Sequence, residues 1–190
     1  MSLADVTFLP EDPAHDPEID EINAEAFGPG RFARAAYKIR EGGPHERALS
    51  FVALDARKVV ASVRLTRIAA GKGRALLLGP LAVRPVYKNR GIGKKLVRIA
   101  LEAAREAGWG AVVLVGDEPY YGPLGFKRVP QGQLLMPRPV DPNRLLAAEL
   151  KVGALATLQG MVTHVALAGN DVAMPPVVSL EMETLLKRAG

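Results

Sequence analysis

The residues best suited to chemistry fall in one run, Leu81-Ala-Val-Arg-Pro-Val-Tyr-Lys88-Asn-Arg-Gly91-Ile-Gly93-Lys-Lys-Leu96. An apolar segment ends, a basic turn follows, and two glycines open the next segment. A helix starting there presents free N–H groups and about half a unit of positive charge, which together attract anions. Glycine at 91 and 93 lets a ligand come close to the backbone. Two phosphate loops do not fit. A Walker A loop needs glycine at 88 and a hydroxyl residue at 95, where the chain has Lys88 and Lys95. A dinucleotide fingerprint needs glycine or alanine at 96, where the chain has Leu96, and it should open the fold rather than follow antiparallel strands. The second group of interest is Tyr120-Tyr121-Gly-Pro-Leu-Gly125-Phe126. Chain alternation turns one of these phenols outward; plain core packing of both is the competing reading.

Other chemistries lack their residues. The sequence has no cysteine, which excludes disulfides, a thiol nucleophile and thiolate metal sites. His15, His45 and His164 match no metal spacing, so no metal is expected. No Gly-x-Ser-x-Gly elbow supports a serine hydrolase.

Several elements must position these groups. Asp16-Pro17 is a helix start, and Ile19, Ile22 and Ala26 follow at helical spacing, which predicts a helix over 16–26. A second helix is predicted from Arg31 to about Glu41. Leu49 to Leu54 reads as a strand, and Val59 to Thr66 alternates with period 2 as a half-buried strand does. Arg74 to Val83 reads as a third, with a bulge or break at Gly79-Pro80 because proline has no ladder donor. From Gly91 to Ala107, residues Ile92, Leu96, Ile99, Ala100, Ala103 and Ala107 share one helical face, and Gly108 ends it. Ala111 to Val115 is a continuous apolar strand, as expected of a buried parallel neighbour. Lys127 to Met136 could hold another strand. Leu145–Leu150 and Leu155–Ala168 stay open between strand and helix, and Ser179–Arg188 reads as a terminal helix. Antiparallel strands around one parallel pair, with helices between, imply an α+β domain.

Lys88-Asn-Arg-Gly91-Ile-Gly93, followed by Tyr121-Gly-Pro-Leu-Gly125-Phe126, resembles the acyl-CoA loop and the tyrosine element of the GNAT superfamily of N-acetyltransferases. That loop reads Gln or Arg, two residues, Gly, one residue, then Gly or Ala. Leu81-Ala-Val-x-Pro before it and Leu96 after it also look like the family, while Lys88 stands where Gln or Arg is usual. Leu150 to Val165 resembles the closing strands of a bacterial subgroup with unassigned substrates. The likeness runs from Phe8 to His164.

The resemblance implies a mixed, mostly antiparallel sheet with a splayed parallel strand pair flanked by helices. It implies acetyl-CoA as co-substrate and a primary amine as acceptor. The pantetheine arm would lie along Leu81, Ala82 and Val83. Main-chain N–H groups of Lys88, Asn89, Arg90, Gly91, Ile92, Gly93 and Lys94 would hold the pyrophosphate. A backbone N–H near Val83 would stabilise the oxyanion, and Tyr121 would be the general acid for the departing thiolate. Glu25, Asp117, Glu118 and water stay open as the base. Phe27 and Phe32 either line the acceptor pocket or pack in the core. A non-catalytic acyl-CoA sensor is the alternative function, and a homodimer stays open.

The chain has 190 residues, enough for one core, with a GNAT domain expected over 1–165 and an extension over 166–190 packing on it. Lys+Arg 25 against Asp+Glu 20 gives a net charge of +5, which favours anionic partners in general. Tyr87 is the only aromatic of the basic stretch, so nucleic acid is disfavoured. The acidic start carries no basic-then-apolar leader, and Val152 to Asn170, uncharged but polar in places, makes a poor bilayer span. A cytoplasmic protein with no membrane contact is the expectation.

Overall fold

Apolar alternation and two tight turns place three strands side by side, and a short strand from earlier in the chain joins them at the edge. In the computed structural model, which describes residues 6–169 and 180–190, β1 (Thr7–Pro10), β2 (Phe51–Asp55), β3 (Lys58–Ala70) and β4 (Gly73–Val83) pair antiparallel in that order. β5 (Ala111–Val115) then lies parallel to β4. β6 (Lys127–Arg128) and β7 (Leu134–Leu135) are short, and β8 (Leu145–Glu149) pairs antiparallel with β5 and with β6. β9 (Gly160–His164) pairs antiparallel with the end of β3 and parallel with β7. The outcome is the expected mixed, mostly antiparallel sheet with the parallel pair β4–β5, and a second, short parallel pair joins β7 to β9.

The helices cover both faces. α1 (Asp16–Phe27) and α2 (Ala35–Arg40) lie on one side, α3 (Ile92–Glu106) on the other. Along β4 the alternation is explicit. Leu76 and Leu78 join the cluster of α3, while Leu77 joins Ile39 of α2 and Ala82 joins Ile19 and Ile22 of α1. Leu96, Ile99, Ala100 and Ala103 of α3 are wholly buried. Each large aliphatic side chain so placed contributes about 1.5–3 kcal/mol relative to exposure. α4 (Glu118–Tyr121) is one turn after β5. α5 (Met182–Arg188) packs on α3: Leu185 and Ala189 enter its apolar cluster, Lys95 Nζ donates to the Leu186 carbonyl at 3.2 Å, and Arg188 pairs with Glu106 at 2.8 Å.

Four expectations change in detail. The second helix is shorter, because Arg34 is extended (φ −77°, ψ 146°) and separates a 3-10 turn at Pro29–Ala33 from α2. Lys127–Met136 is not one strand: Pro130 and the left-handed Gly132 (φ +84°) divide it into β6 and β7. Leu155–Ala168 resolves into 3-10 turns flanking β9. β1 was not foreseen, for it buries only Phe8 and ends on a proline. Ser179 lies outside the described residues. No helix among the described residues is long and apolar enough to cross a membrane.

A buried ionic knot ties β1, α1 and β3 together. The Glu11 carboxylate, with no exposed side-chain surface, accepts from Arg47 at 2.7 Å and from Arg64 at 2.9 Å, and meets His45 at 2.8 Å. Asp16 accepts from the same two arginines, at 2.9 and 2.6 Å. Burial would raise the Glu11 carboxyl, but its hydrogen bonds to His45 and Arg64 and the Arg64 charge hold it down to about 2.

Candidate active site

The strand edge comes first. Arg84 N–H donates to the Val60 carbonyl at 2.8 Å. Antiparallel ladders alternate bonded and non-bonded pairs, so Ala82, opposite Ser62, also faces β3. Leu81 and Val83 therefore turn their N–H and C=O groups to the other side. There β5 has already left: the last parallel pairs are Leu76–Val112 and Leu77–Val113. β4 thus offers open main-chain groups at Leu81 and Val83. Ala82, grouped with them on sequence, is turned away, its backbone toward β3 and its side chain under α1. At the head of this edge the register with β3 slips between Leu65–Leu78 and Val63–Leu81, which leaves Gly79 and Pro80 as the expected bulge opposite Arg64.

The edge runs into the opening of α3. Asn89 (φ +59°) and Gly91 (φ +81°) are both left-handed and fold the turn back onto the helix. Lys95 N–H bonds the Gly91 carbonyl at 2.9 Å, so the amides of Ile92, Gly93 and Lys94 before it have no helical acceptor. No side chain caps α3, and no acidic residue stands in its first turn, which holds Lys94 and Lys95 instead. A positive helix end flanked by cations calls for an anion. Lys88 uses its own amide on the Pro85 carbonyl at 3.2 Å, so it brings an exposed ammonium rather than an N–H. Tyr87 anchors the turn by donating to Asp55 at 2.6 Å, and Arg90 lies 5.4 Å above the Tyr87 ring.

The two tyrosines close the slot. A Cβ at Gly93 would stand 2.6 Å from the Tyr120 hydroxyl, 3.4 Å from Val83 Cγ2 and 3.8 Å from Leu81 Cδ2. Tyr120 therefore lies across the path between the strand edge and the helix opening, with Lys94 Nζ 5.6 Å from its ring. Its ring meets Tyr121 edge-on at 4.8 Å, and Tyr121 meets Phe126 at 5.7 Å. Tyr121 is half-buried and rests on Gly116, just after β5, where a Cβ would come within 2.4 Å of its Cε2. Burial pushes the Tyr121 phenol well above its ordinary value of 10.0, and Tyr120 and Asp117 push the same way. Such a phenol keeps its proton at neutral pH. The two sides of the slot suit an extended ligand with a phosphate end, with open amides along β4 and free amides and cations at α3, while the Tyr120 hydroxyl takes the space a Cβ at Gly93 would need.

The three carboxylates considered as bases are all engaged. Glu25 accepts from Arg84 at 2.8 Å, Asp117 pairs with Arg144 at 3.1 Å, and Glu118 accepts from Arg128 at 2.6 Å. Phe32 is exposed and meets Tyr37 edge-on at 4.9 Å, while Phe27 packs with α1. The histidines serve local structure: His15 accepts from Asp12 N–H, and His164 caps its own 3-10 turn and meets the Pro44 carbonyl. Arg40, which falls within the predicted second helix but was not singled out, reaches Gly79 in the bulge at 3.2 Å. No spacing signal marks it; only the fold brings α2 over the end of the β4–β5 pairing.

Comparison with known proteins agrees with this geometry. The sequence profile of the Acetyltransferase (GNAT) family matches residues 17–126. A protein of Escherichia coli K12 named uncharacterized N-acetyltransferase YjhQ is 32% identical over 132 residues, 67% of this chain and 72% of that one. Another from the same strain, named uncharacterized N-acetyltransferase YhbS, is 28% identical over 158 residues, 81% and 93% of the two chains. The crystal structure of Escherichia coli YhbS in complex with CoA superposes with a TM-score of 0.71 at 24% identity, covering 88% of this chain and 94% of that one, a likeness of fold. A GNAT family acetyltransferase from Brucella melitensis in complex with acetyl-CoA gives 0.54 at 29% identity, over 75% and 94%. With an open β4 edge leading to a glycine-opened helix and a family match over more than half its length, the chain belongs to the GNAT family of acetyltransferases.

Proposed function

We propose that this protein moves an acetyl group directly from acetyl-CoA to a primary amine. The observation that carries the reading is the unpaired edge of β4 beyond Leu77, continuous with the uncapped start of α3. Acetyl-CoA, when bound, supplies an activated thioester. Leu81 and Val83 pair with its pantetheine amides as an added strand would. The amides of Ile92, Gly93 and Lys94, with the ammonium groups of Lys88 and Lys94, hold its pyrophosphate. A main-chain N–H on the open edge of β4, at Leu81 or Val83, donates to the carbonyl oxygen as it gains charge. The neutral amine forms the new C–N bond while the C–S bond breaks. Tyr121 donates its proton to the departing sulfur, the surplus amine proton leaves to water, and water returns a proton to the Tyr121 oxygen. Two readouts test this. Calorimetric titration with acetyl-CoA should show binding, and its absence would refute the reading. Tyr121→Phe should lower kcat about 10²-fold in a CoA-release assay while leaving acetyl-CoA affinity nearly unchanged. Unaltered kcat would remove Tyr121 from the mechanism.

A further inference from the structure

One cation stands at the break in β4 with no carboxylate partner among the described residues. Arg40 closes α2. Its neighbour Ile39 packs with Leu77 and Val113, the last residues of the parallel pairing. Arg40 Nη1 donates to the Gly79 carbonyl at 3.2 Å, two residues past that pairing. A Cβ on Gly79 would sit 3.8 Å from the same nitrogen. Of the five N–H donors of a guanidinium, the protein engages this one.

The surroundings make the vacancy of charge unusual. Burial lowers the Arg40 guanidinium from 12.5 to about 10; Tyr37, its ring 5.9 Å away, opposes this, and Arg64 and Arg34 add to it. Glu11 and Asp16 hold Arg64 and Arg47, and Glu21 and Glu25 hold Arg84, while Arg34 meets the Phe27 ring and no carboxylate among the described residues. Among the described residues no carboxylate is paired with Arg40. A half-buried cation without a carboxylate is costly to leave unpaired, and a bound anion would supply the missing charge. The phosphates of CoA are too far away. They belong at residues 88–94, and the four steps from Gly79 to Val83 alone rise about 13 Å along the strand. The group that approaches the break from the α2 side is the acceptor.

We propose that the acceptor is a small primary amine carrying its own oxyanion, a carboxylate or a phosphate, which Arg40 binds and thereby holds the amine over the break in β4. The inference rests on the acetyltransferase reading above and adds the acceptor's chemical class to it. Charge-assisted bonds to a guanidinium are strong and directional, so Arg40 fixes position as well as affinity.

The test uses matched amines with CoA release as readout: free amino acids against their carboxamides, and phosphoethanolamine against ethanolamine. The first set reads a carboxylate, the second a phosphate. The charged member of one set should be used at least 10-fold better in kcat/KM. Arg40→Gln should shrink that ratio by about 10- to 100-fold, the size expected for losing a charged hydrogen bond. Acetyl-CoA affinity, measured by calorimetry on the same variant, should stay within about 2-fold. Arg40→Lys, which keeps the charge but not the fork, should fall between and serves if the glutamine variant does not fold. Neutral amines used as well as charged ones would overturn the inference, as would a preference that survives Arg40→Gln. So would normal acetyl-CoA binding with no charged amine consumed, an outcome that leaves the acetyl-CoA site itself standing. Failure of the wild type to bind acetyl-CoA would bring down both readings.

Discussion

Glu11→Gln isolates the ionic knot that ties β1 and the start of α1 to β3. The carboxyl sits at about 2 in the folded protein against an ordinary 4.5, a difference of 4.5 − 2 = 2.5. At about 1.36 kcal/mol for each pH unit, that amounts to about 3.4 kcal/mol of folding stability at pH 7. The folded value is the lower one, so the contribution is complete above the unfolded value of 4.5 and is lost as pH falls toward 2. By pH 3 about 1.4 kcal/mol remains. Glutamine does not titrate, and the loss of a partner for Arg64 and Arg47 is common to both conditions. The stability gap between wild type and Glu11→Gln should therefore be about 2 kcal/mol wider at pH 7 than at pH 3. Urea unfolding followed by circular dichroism at both pH values gives the two gaps, with equal slopes confirming that the exposed surface is unchanged. A gap of the same size at both pH values would mean that Glu11 is not held ionised by Arg64 and His45, and the account of the knot would fail.

Two further substitutions probe the slot. Gly116→Ala places a methyl 2.4 Å from Tyr121 Cε2, so the ring must retreat by about 1 Å. A shift of that size should cost about 10²-fold in kcat with acetyl-CoA affinity intact, and overpacking should cost about 1–3 kcal/mol of stability; a variant with lowered melting temperature but full kcat would separate Tyr121 from catalysis. Gly91→Ala puts a side chain at φ +81°, which costs about 1–2 kcal/mol and, if the turn relaxes instead, pulls amides off the pyrophosphate. Calorimetry should then show acetyl-CoA binding weakened about 10-fold, and unchanged affinity would show that the left-handed turn is not part of the grip.

The sequence made the two informative motifs legible because both depend on local backbone demands. Gly91 is left-handed and Gly93 has no room for a Cβ, and such needs appear directly as residue type. α3 was readable for the same reason, since its apolar face repeats over four turns. The bulge followed from Pro80, which cannot join a ladder. What stayed hidden depends on partners distant in sequence. β1 is four residues with one buried side chain, and its pairing with β2 comes from 40 residues away. Which of Leu81, Ala82 and Val83 faces the gap depends on the phase of the β3 ladder, and that phase is set by the Arg84–Val60 bond rather than by residue type. Arg40 gains its place only because Ile39 docks on Leu77 and Val113. The Tyr120 hydroxyl, too, comes to Gly93 across 27 residues of helix and strand.

The open edge of β4 also bears on how this protein can diverge. On the proposed reading the grip is made of amides and is indifferent to the residues that carry them, so Leu81 and Val83 would be free to exchange for other side chains that suit a strand, provided the ladder with β3 keeps its phase. Discrimination between acceptors would then fall to side chains elsewhere, Arg40 at the end of α2 among them. A lineage could change what it acetylates by altering a handful of codons there while leaving the handling of its donor untouched.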